Sequence, residues 1–285
     1  MMRIRYYHCL VAGLADLVFD TSKNYMDMIE FRRELKIALH ATDYSLVSIL
    51  FLPHDNKNIV TFLEGKEDSW DNLGNYSLQD FEEQKRIIYS ILRENNILPD
   101  YMVELIAAWF DAERGIDKVE MGNKLTEGYI NMALNSGNSF LENWIRFDRD
   151  LNNIFTLINS KSLNLDAGSF IIGNDPFTKE LIDISDRGKE FIIPSEPDYA
   201  SIIFKMATES EFLERERRID IARWDFVDSI NSFEYFTIDL ILGYLIKLSI
   251  VLRWKQLEPE TGKVMLQKLI NDMEAPVLSG NFTVK

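Results

Sequence analysis

Three histidines, His8, His40 and His54, and a single cysteine, Cys9, are the residues of this chain best suited to metal or nucleophilic chemistry. All four lie in the first fifth of its 285 residues. No His-Glu-x-x-His run occurs, and one cysteine cannot supply a Cys-x-x-Cys zinc pair. Cys9 beside His8 makes a poor dyad, because adjacent residues on a helix or strand point apart. A lone cysteine among apolar neighbours is expected in a core. Neither a phosphate-cradling G-x-x-x-x-G-K-[ST] loop nor a G-x-G-x-x-G turn is present, so nucleotide hydrolysis by this chain itself is not indicated. Gly168-Ser169-Phe170-Ile171-Ile172-Gly173 reads as a loop with a turn, not as a nucleophile elbow. Carboxylates are plentiful, and none is singled out by position. The run from Glu209 to Arg218 reads as a solvated helix face with i,i+4 pairs such as Glu214 with Arg218; a docking surface is the functional alternative. The expectation is no catalytic residue, no cofactor and no metal.

Charge narrows the partners. With 31 Lys+Arg against 46 Asp+Glu the net charge is −15. Such a chain repels phosphate backbones and anionic lipid, so neither nucleic-acid binding nor direct lipid insertion is expected. A protein partner is compatible with this charge. One cysteine allows no internal disulfide, which suits a reducing cytoplasm. Nothing at the amino terminus reads as a signal peptide: His8 and Asp16 interrupt the apolar stretch Tyr6 to Phe19. The longest apolar run, Phe236 to Leu252, carries Asp239 and Lys247 and falls short of the roughly 20 residues a membrane span needs. It reads as a helix buried in protein.

The elements that must position these residues are helices. The chain has 7 Pro and 13 Gly, both below average usage of about 5% and about 7%. None of the prolines falls between Pro99 and Pro176 or between Pro197 and Pro259, and proline-free stretches permit long helices. Ser77-Leu78-Gln79-Asp80 has the form of a capping box before Phe81, Ile88, Ile91 and Leu92 on one face. Asp100 can cap a helix carrying Met102, Leu105, Ile106, Trp109 and Phe110, closed by Gly115. A stripe runs from Phe140, Leu141, Trp144 and Ile145 through Leu151, Phe155 and Ile158 after Ser139. Ser195 or Asp198 starts another helix, and Pro259 suits the first turn of one bearing Met265, Leu266, Leu269, Ile270 and Met273. Ile4 to Val11 and Ser45 to Leu52 are short apolar runs, strand or buried helix, which periodicity does not decide. The fold class expected is all-α, or mostly helical.

An internal repeat organises the chain. Asp55-Asn56-Lys57-Asn58-Ile59-Val60-Thr61 with Lys66 recurs as Asp150-Leu151-Asn152-Asn153-Ile154-Phe155-Thr156 with Lys161, an offset of 95 residues. A further 94 residues lead to Tyr244, with Lys247, Leu248, Ile250, Leu252, Arg253 and Lys255 following. The polar signature is gone there, while the apolar positions and a terminal Lys remain. Three units span the chain as 1–95, 96–190 and 191–285. Asp55 with Asn58, and Asp150 with Asn153, stand at i and i+3 on one helix face. One carboxylate per unit is too few to ligate a metal. A structural role is expected, capping a neighbouring helix or satisfying a turn buried between helices.

Asp150-Leu151-Asn152-Asn153-Ile154 with Lys161 resembles the recurring helix of the C-type subunit family of V/A-type ATPases, whose eukaryotic members are called d-type. Gly243-Tyr244-Leu245 with Leu252-Arg253 is similar to the last repeat of that family. Tyr6 to Leu17 resembles the opening of a bacterial branch first classed as uncharacterised and associated with V-type ATPase genes; Ala15 stands where that opening usually has Pro. The resemblance implies an elongated body of three similar helical lobes. It implies a non-catalytic rotor linker between the membrane proteolipid ring and the central-stalk subunits. Such a chain would be cytoplasmic and tied to the membrane only through its complex. Two other classes stay open: a helical scaffold unrelated to ATPases, and a helical enzyme with an unrecognised pocket.

Overall fold

The structure is a computed structural model, and it describes residues 4–19, 23–90, 95–111, 116–186, 194, 197–209 and 211–256. Among these residues there are eleven α-helices and no strand. A short α1 (His8–Ala12) is followed by α2 (Met28–Ala38) and the long α3 (Ala41–Leu63). One 3-10 turn, Glu67–Ser69, leads to α4 (Leu78–Ile88), α5 (Asp100–Phe110) and α6 (Lys118–Leu134). Then come α7 (Ser139–Ser162), α8 (Pro176–Asp186), α9 (Ala200–Ala207), α10 (Phe212–Ile230) and α11 (Ile238–Gln256). From α3 to α6 the lengths run 23, 11, 11 and 17 residues. From α7 to α10 they run 24, 11, 8 and 19.

Local chemistry sets the helix starts. Ser77 accepts from the Asp80 amide and Asp80 answers to the Ser77 amide, so the capping box at α4 is present. Asn138 caps α7 through the Leu141 amide, one residue before the Ser139 start expected from the sequence. At α5 the cap position is Pro99, and Asp100 is the first helical residue instead of the cap. Its fixed φ places Pro99 at a helix entrance, and an acidic first turn suits the positive helix end. The run Ser45 to Leu52 is helical and belongs to α3, which continues past Pro53 to Leu63. Of Ile4 to Val11, the residues from His8 on lie in the short α1, and those before it have no regular structure. Cys9 on α1 is exposed and so not the core cysteine its neighbours suggest, because α1 lies on the surface and buries none of its own residues. Ser195, Ile91, Leu92, Gly115 and the Pro259 segment lie outside the described residues.

Three long helices organise the core. Helix α11 packs on both α3 and α7, and it carries Ile241, Leu242, Leu245, Leu248 and Val251 into the interior. From Ile238 onward the apolar run Phe236 to Leu252 is therefore a helix buried in protein, and no helix among the described residues is long and apolar enough to cross a membrane. The starts of these helices are tied together. Asn138 at the start of α7 donates to Asp239 at the start of α11, 2.6 Å away. Tyr7, ahead of α1, donates its amide to the Phe236 carbonyl and its hydroxyl to Asp43 at the start of α3. Phe236 has φ +62, a strained conformation for a bulky residue, held where this junction closes.

Candidate functional site

The polar residues of the repeat are buried inside the apolar faces of α3 and α7. Asn58 is fully buried and pairs with both backbone groups of Asp71: its Oδ1 accepts the Asp71 amide at 2.8 Å and its Nδ2 donates to the carbonyl at 2.9 Å. Asn153 does the same to Ile172, at 2.9 and 2.8 Å. Each amide thus acts as a short piece of sheet edge, fixing the loop that returns from its helix. Sequence places the two clamped residues differently, 13 and 19 positions beyond their asparagines.

The two aspartates diverge. Asp55 accepts from the Asn75 amide at 2.6 Å, the Tyr76 amide at 3.1 Å and the Asn75 side chain at 2.6 Å. Burial nevertheless pushes its carboxyl up to about 6, against those bonds and the charge of Arg32. Arg32 on α2 donates to the Leu73 and Gly74 carbonyls and to Asn75, so the loop 71–76 is held from two helices. Gly74 stands so close that an added Cβ would lie 2.7 Å from both Asp55 and Asn58. Asp150 instead accepts from its neighbour Arg149 at 2.6 Å and from the Tyr199 hydroxyl at 2.7 Å. Burial raises its carboxyl, with Arg149 and Tyr199 opposing. Arg149 reaches on to Asp175, 2.7 Å away, which caps α8. Both aspartates therefore organise a return loop, one through backbone amides and one through a buried ion pair.

At the third position the chemistry is different. Tyr244 packs its ring on Phe31 of α2, centroids 5.3 Å apart, and no Asp-Asn pair accompanies it. Arg253 pairs with Asp220 on α10, an aspartate only 1% exposed. Trp254 donates to the same carboxylate at 2.7 Å, and Arg223 reaches both Asp220 at 3.3 Å and Asp148 on α7 at 2.8 Å. Burial works against the Arg223 charge, but Asp148 and Asp220 outweigh it and keep the guanidinium firmly charged. This network joins α7, α10 and α11. Only the Asp220–Arg223 pair is local, at i,i+3; the contacts that join the helices span 33 to 75 positions, and nothing local in the sequence marks them.

A cleft of about 950 Å³ opens between the long helices. Leu50, Phe51 and His54 of α3, Trp144 and Asp148 of α7, and Leu245, Ile246 and Arg253 of α11 line it, with Met28 and Arg33 of α2 closing one side. His54 holds the one arrangement here with catalytic character. Its Nδ1 lies 2.7 Å from Asp71 Oδ2. Burial raises the Asp71 carboxyl, but the His54 contact and the Leu73 amide hold it below the usual range, so it is a carboxylate. An ionised partner at Nδ1 selects the tautomer that leaves Nε2 as an acceptor, the orientation a general base requires. Ser249, a hydroxyl on the wall beside that of Tyr129, already donates to the Ile246 carbonyl at 2.7 Å, so it is not poised as a nucleophile. His8 lies tilted against Phe236 at the helix-start end, centroids 4.5 Å apart, and His40 caps α3. The structure does not bring the three histidines together, and no metal-holding group of three or more His, Cys, Asp or Glu occurs among the described residues. The Glu214–Arg218 pair forms on α10 at 3.0 Å.

A protein-family model described as "Protein of unknown function (DUF2764)" matches residues 4–277. No curated protein and no solved structure matches the chain.

Proposed function

The chain belongs to the DUF2764 family, and we propose that it is a non-catalytic linker subunit of a rotary V/A-type ATPase, joining the membrane proteolipid ring to the central stalk. The observation that carries this reading is the cleft wall. The helices bearing Asp55, Asp150 and Tyr244, one from each third of the chain, face a common space of about 950 Å³. Three related lobes around one axis would be built this way, each giving its motif helix to the shared wall. The recurring order of helix lengths and the paired Asn58 and Asn153 clamps support the same reading. Torque transmission asks for a stiff, closely packed helical body and for no active site. Exposed apolar side chains also occur where a docking face is needed. Ile37 ends α2, Met132 ends α6, and Phe233 and Tyr235 lie in the turn before α11. All three connections lead into the tied starts of the long helices. The chain would sit on the cytoplasmic side, held to the membrane through protein loops.

An enzyme is the second reading, and the His54–Asp71 pair on the cleft favours it. Deleting the gene and measuring ATP-driven ion pumping in membrane vesicles separates the two. Loss of coupled pumping, restored equally by the wild-type chain and by His54→Gln, is expected for a linker. Intact pumping in the deletion strain rejects the linker, and turnover of a small substrate that His54→Gln abolishes establishes the enzyme.

A further inference from the structure

The indole N–H of Trp144 on α7 has no acceptor among the described residues, although the residue is only 7% exposed. Buried indole and phenol groups ordinarily find a hydrogen-bond partner. The nitrogen is not sealed within protein, and Trp144 lines two adjoining spaces, the cleft of about 950 Å³ and a side pocket of about 180 Å³. Asp148, Ile246, Ser249 and Arg253 also belong to both walls, so the pocket opens from the cleft. Two more groups on the cleft wall are unpaired among the described residues. The Tyr129 hydroxyl on α6 makes no hydrogen bond. Burial and the charge of Asp148 push its pKa far up, so it stays a neutral O–H donor. His54 on α3 meets Asp71 through Nδ1, which leaves Nε2 as an acceptor. Asp148 stands one turn from Trp144 on α7 and acts on Tyr129 from the packed helix, so the two donors share one neighbourhood.

Charge decides the class of ligand. Asp27, Glu30 and Asp148 on the wall are matched by Arg33, Lys57 and Arg253, so the lining selects neither sign. Asp148 and Arg253 are moreover already held, by Arg223 and Asp220. A charged ligand would give up its hydration for no net field, whereas a neutral polar group needs only its hydrogen bonds replaced. Leu50, Phe51, Leu245 and Ile246 offer apolar surface for the rest of the molecule. Sites of roughly 300–1,000 Å³ with an apolar lining and a few placed polar groups are typical of small ligands. We infer that the cleft binds an uncharged, amide-bearing small molecule, whose carbonyl oxygen accepts from the Trp144 indole and the Tyr129 hydroxyl. His54 Nε2 serves a donor elsewhere on the same ligand. Binding of this kind needs neither the rotary linker nor turnover at the His54–Asp71 pair.

Indole N–H signals of the nitrogen-15-labelled, full-length chain test it, with benzamide as the probe and benzoate and benzylammonium as its charged analogues. The chain has 5 Trp, and the signal lost in Trp144→Phe identifies Trp144. Benzamide should move that signal downfield and saturably, as expected when a carbonyl takes the N–H. The Trp254 signal, whose N–H already binds Asp220 at 2.7 Å, should stay in place. Benzoate and benzylammonium should leave both where they are. Tyr129→Phe removes only the second donor, and it should weaken benzamide about three- to ten-fold, the worth of one net hydrogen bond. Unmoved signals from the other tryptophans show that this variant is folded. No saturable movement by benzamide up to its solubility limit would overturn the inference. An equal response to either charged analogue, or an affinity unchanged by Tyr129→Phe, would overturn it as well.

Discussion

Asn58 and Asn153 are where the sequence spoke most plainly at the scale of single residues. An amide side chain inside an apolar stripe, at a fixed distance from an aspartate, needs partners, and each finds both groups of one backbone residue. The partners themselves were not legible. Asp71 and Ile172 lie in loops of different length, and no pattern announces which backbone residue a side chain will bracket. Asn153→Leu removes the acceptor and the donor that Ile172 uses, and it should lower stability by about 1–3 kcal/mol. An unchanged midpoint in urea would mean that water serves Ile172 equally well. Asp55 makes a pH-dependent claim. Its folded pKa of about 6 lies above the ordinary 3.8, so the folded chain keeps a proton there that the unfolded chain has released. The corresponding stability is fully present below about pH 4 and is lost as pH rises through 6. Asp55→Asn does not titrate. The stability of wild type minus that of the variant should therefore fall by up to about 3 kcal/mol between pH 4 and pH 7. A difference that stays flat across that range contradicts the raised pKa.

Helices were the easiest elements to read, because caps and apolar spacing lie close together in sequence. The Ser77–Asp80 box needed only four residues to recognise. Ser45 to Leu52 was harder: its apolar density hides the period, and Pro53 suggests a break where α3 continues. Contacts between elements left almost no local trace. Asp220 joins α10 to Arg253 and Trp254 of α11, and Arg223 carries the network to Asp148 of α7. Asp220→Ala leaves the Trp254 indole N–H without its acceptor and takes one carboxylate from Arg223 and Arg253, which keep Asp148 and Glu216, and it should cost about 1–3 kcal/mol in a denaturation curve. A loss under about 1 kcal/mol would show that water replaces the carboxylate. Gly128 tests how closely α5 and α6 approach. An added Cβ would come under 3 Å from three atoms of the Tyr101 side chain. Alanine gains about 1 kcal/mol in helix propensity, while overpacking costs about 1–3 kcal/mol. Gly128→Ala should therefore lower the melting temperature, and a higher one would mean that Tyr101 has room to move.

At the scale of the whole molecule, the helical fold class was legible and the cleft was not. Scarce proline and glycine, together with repeated caps, point to helices, but the space enclosed by α3, α7 and α11 depends on how the helices lean. Three chain segments about 95 residues apart each contribute one wall to it. Phe233 and Tyr235, 87% and 66% exposed, are the residues on which a docking face at the helix-start end should depend. Replacing both with glutamate should leave the unfolding free energy within about 0.5 kcal/mol of wild type, as usual for surface sites, while weakening partner capture at least ten-fold. Unweakened capture would place the contact elsewhere. The most direct test of the linker is affinity purification of the tagged, full-length chain from native membranes, with the co-purifying proteins identified by mass spectrometry. The account predicts that both proteolipid-ring and central-stalk subunits of a rotary ATPase come down with the wild-type chain, in fixed proportion to it. Recovery of the chain without any ATPase component would contradict it.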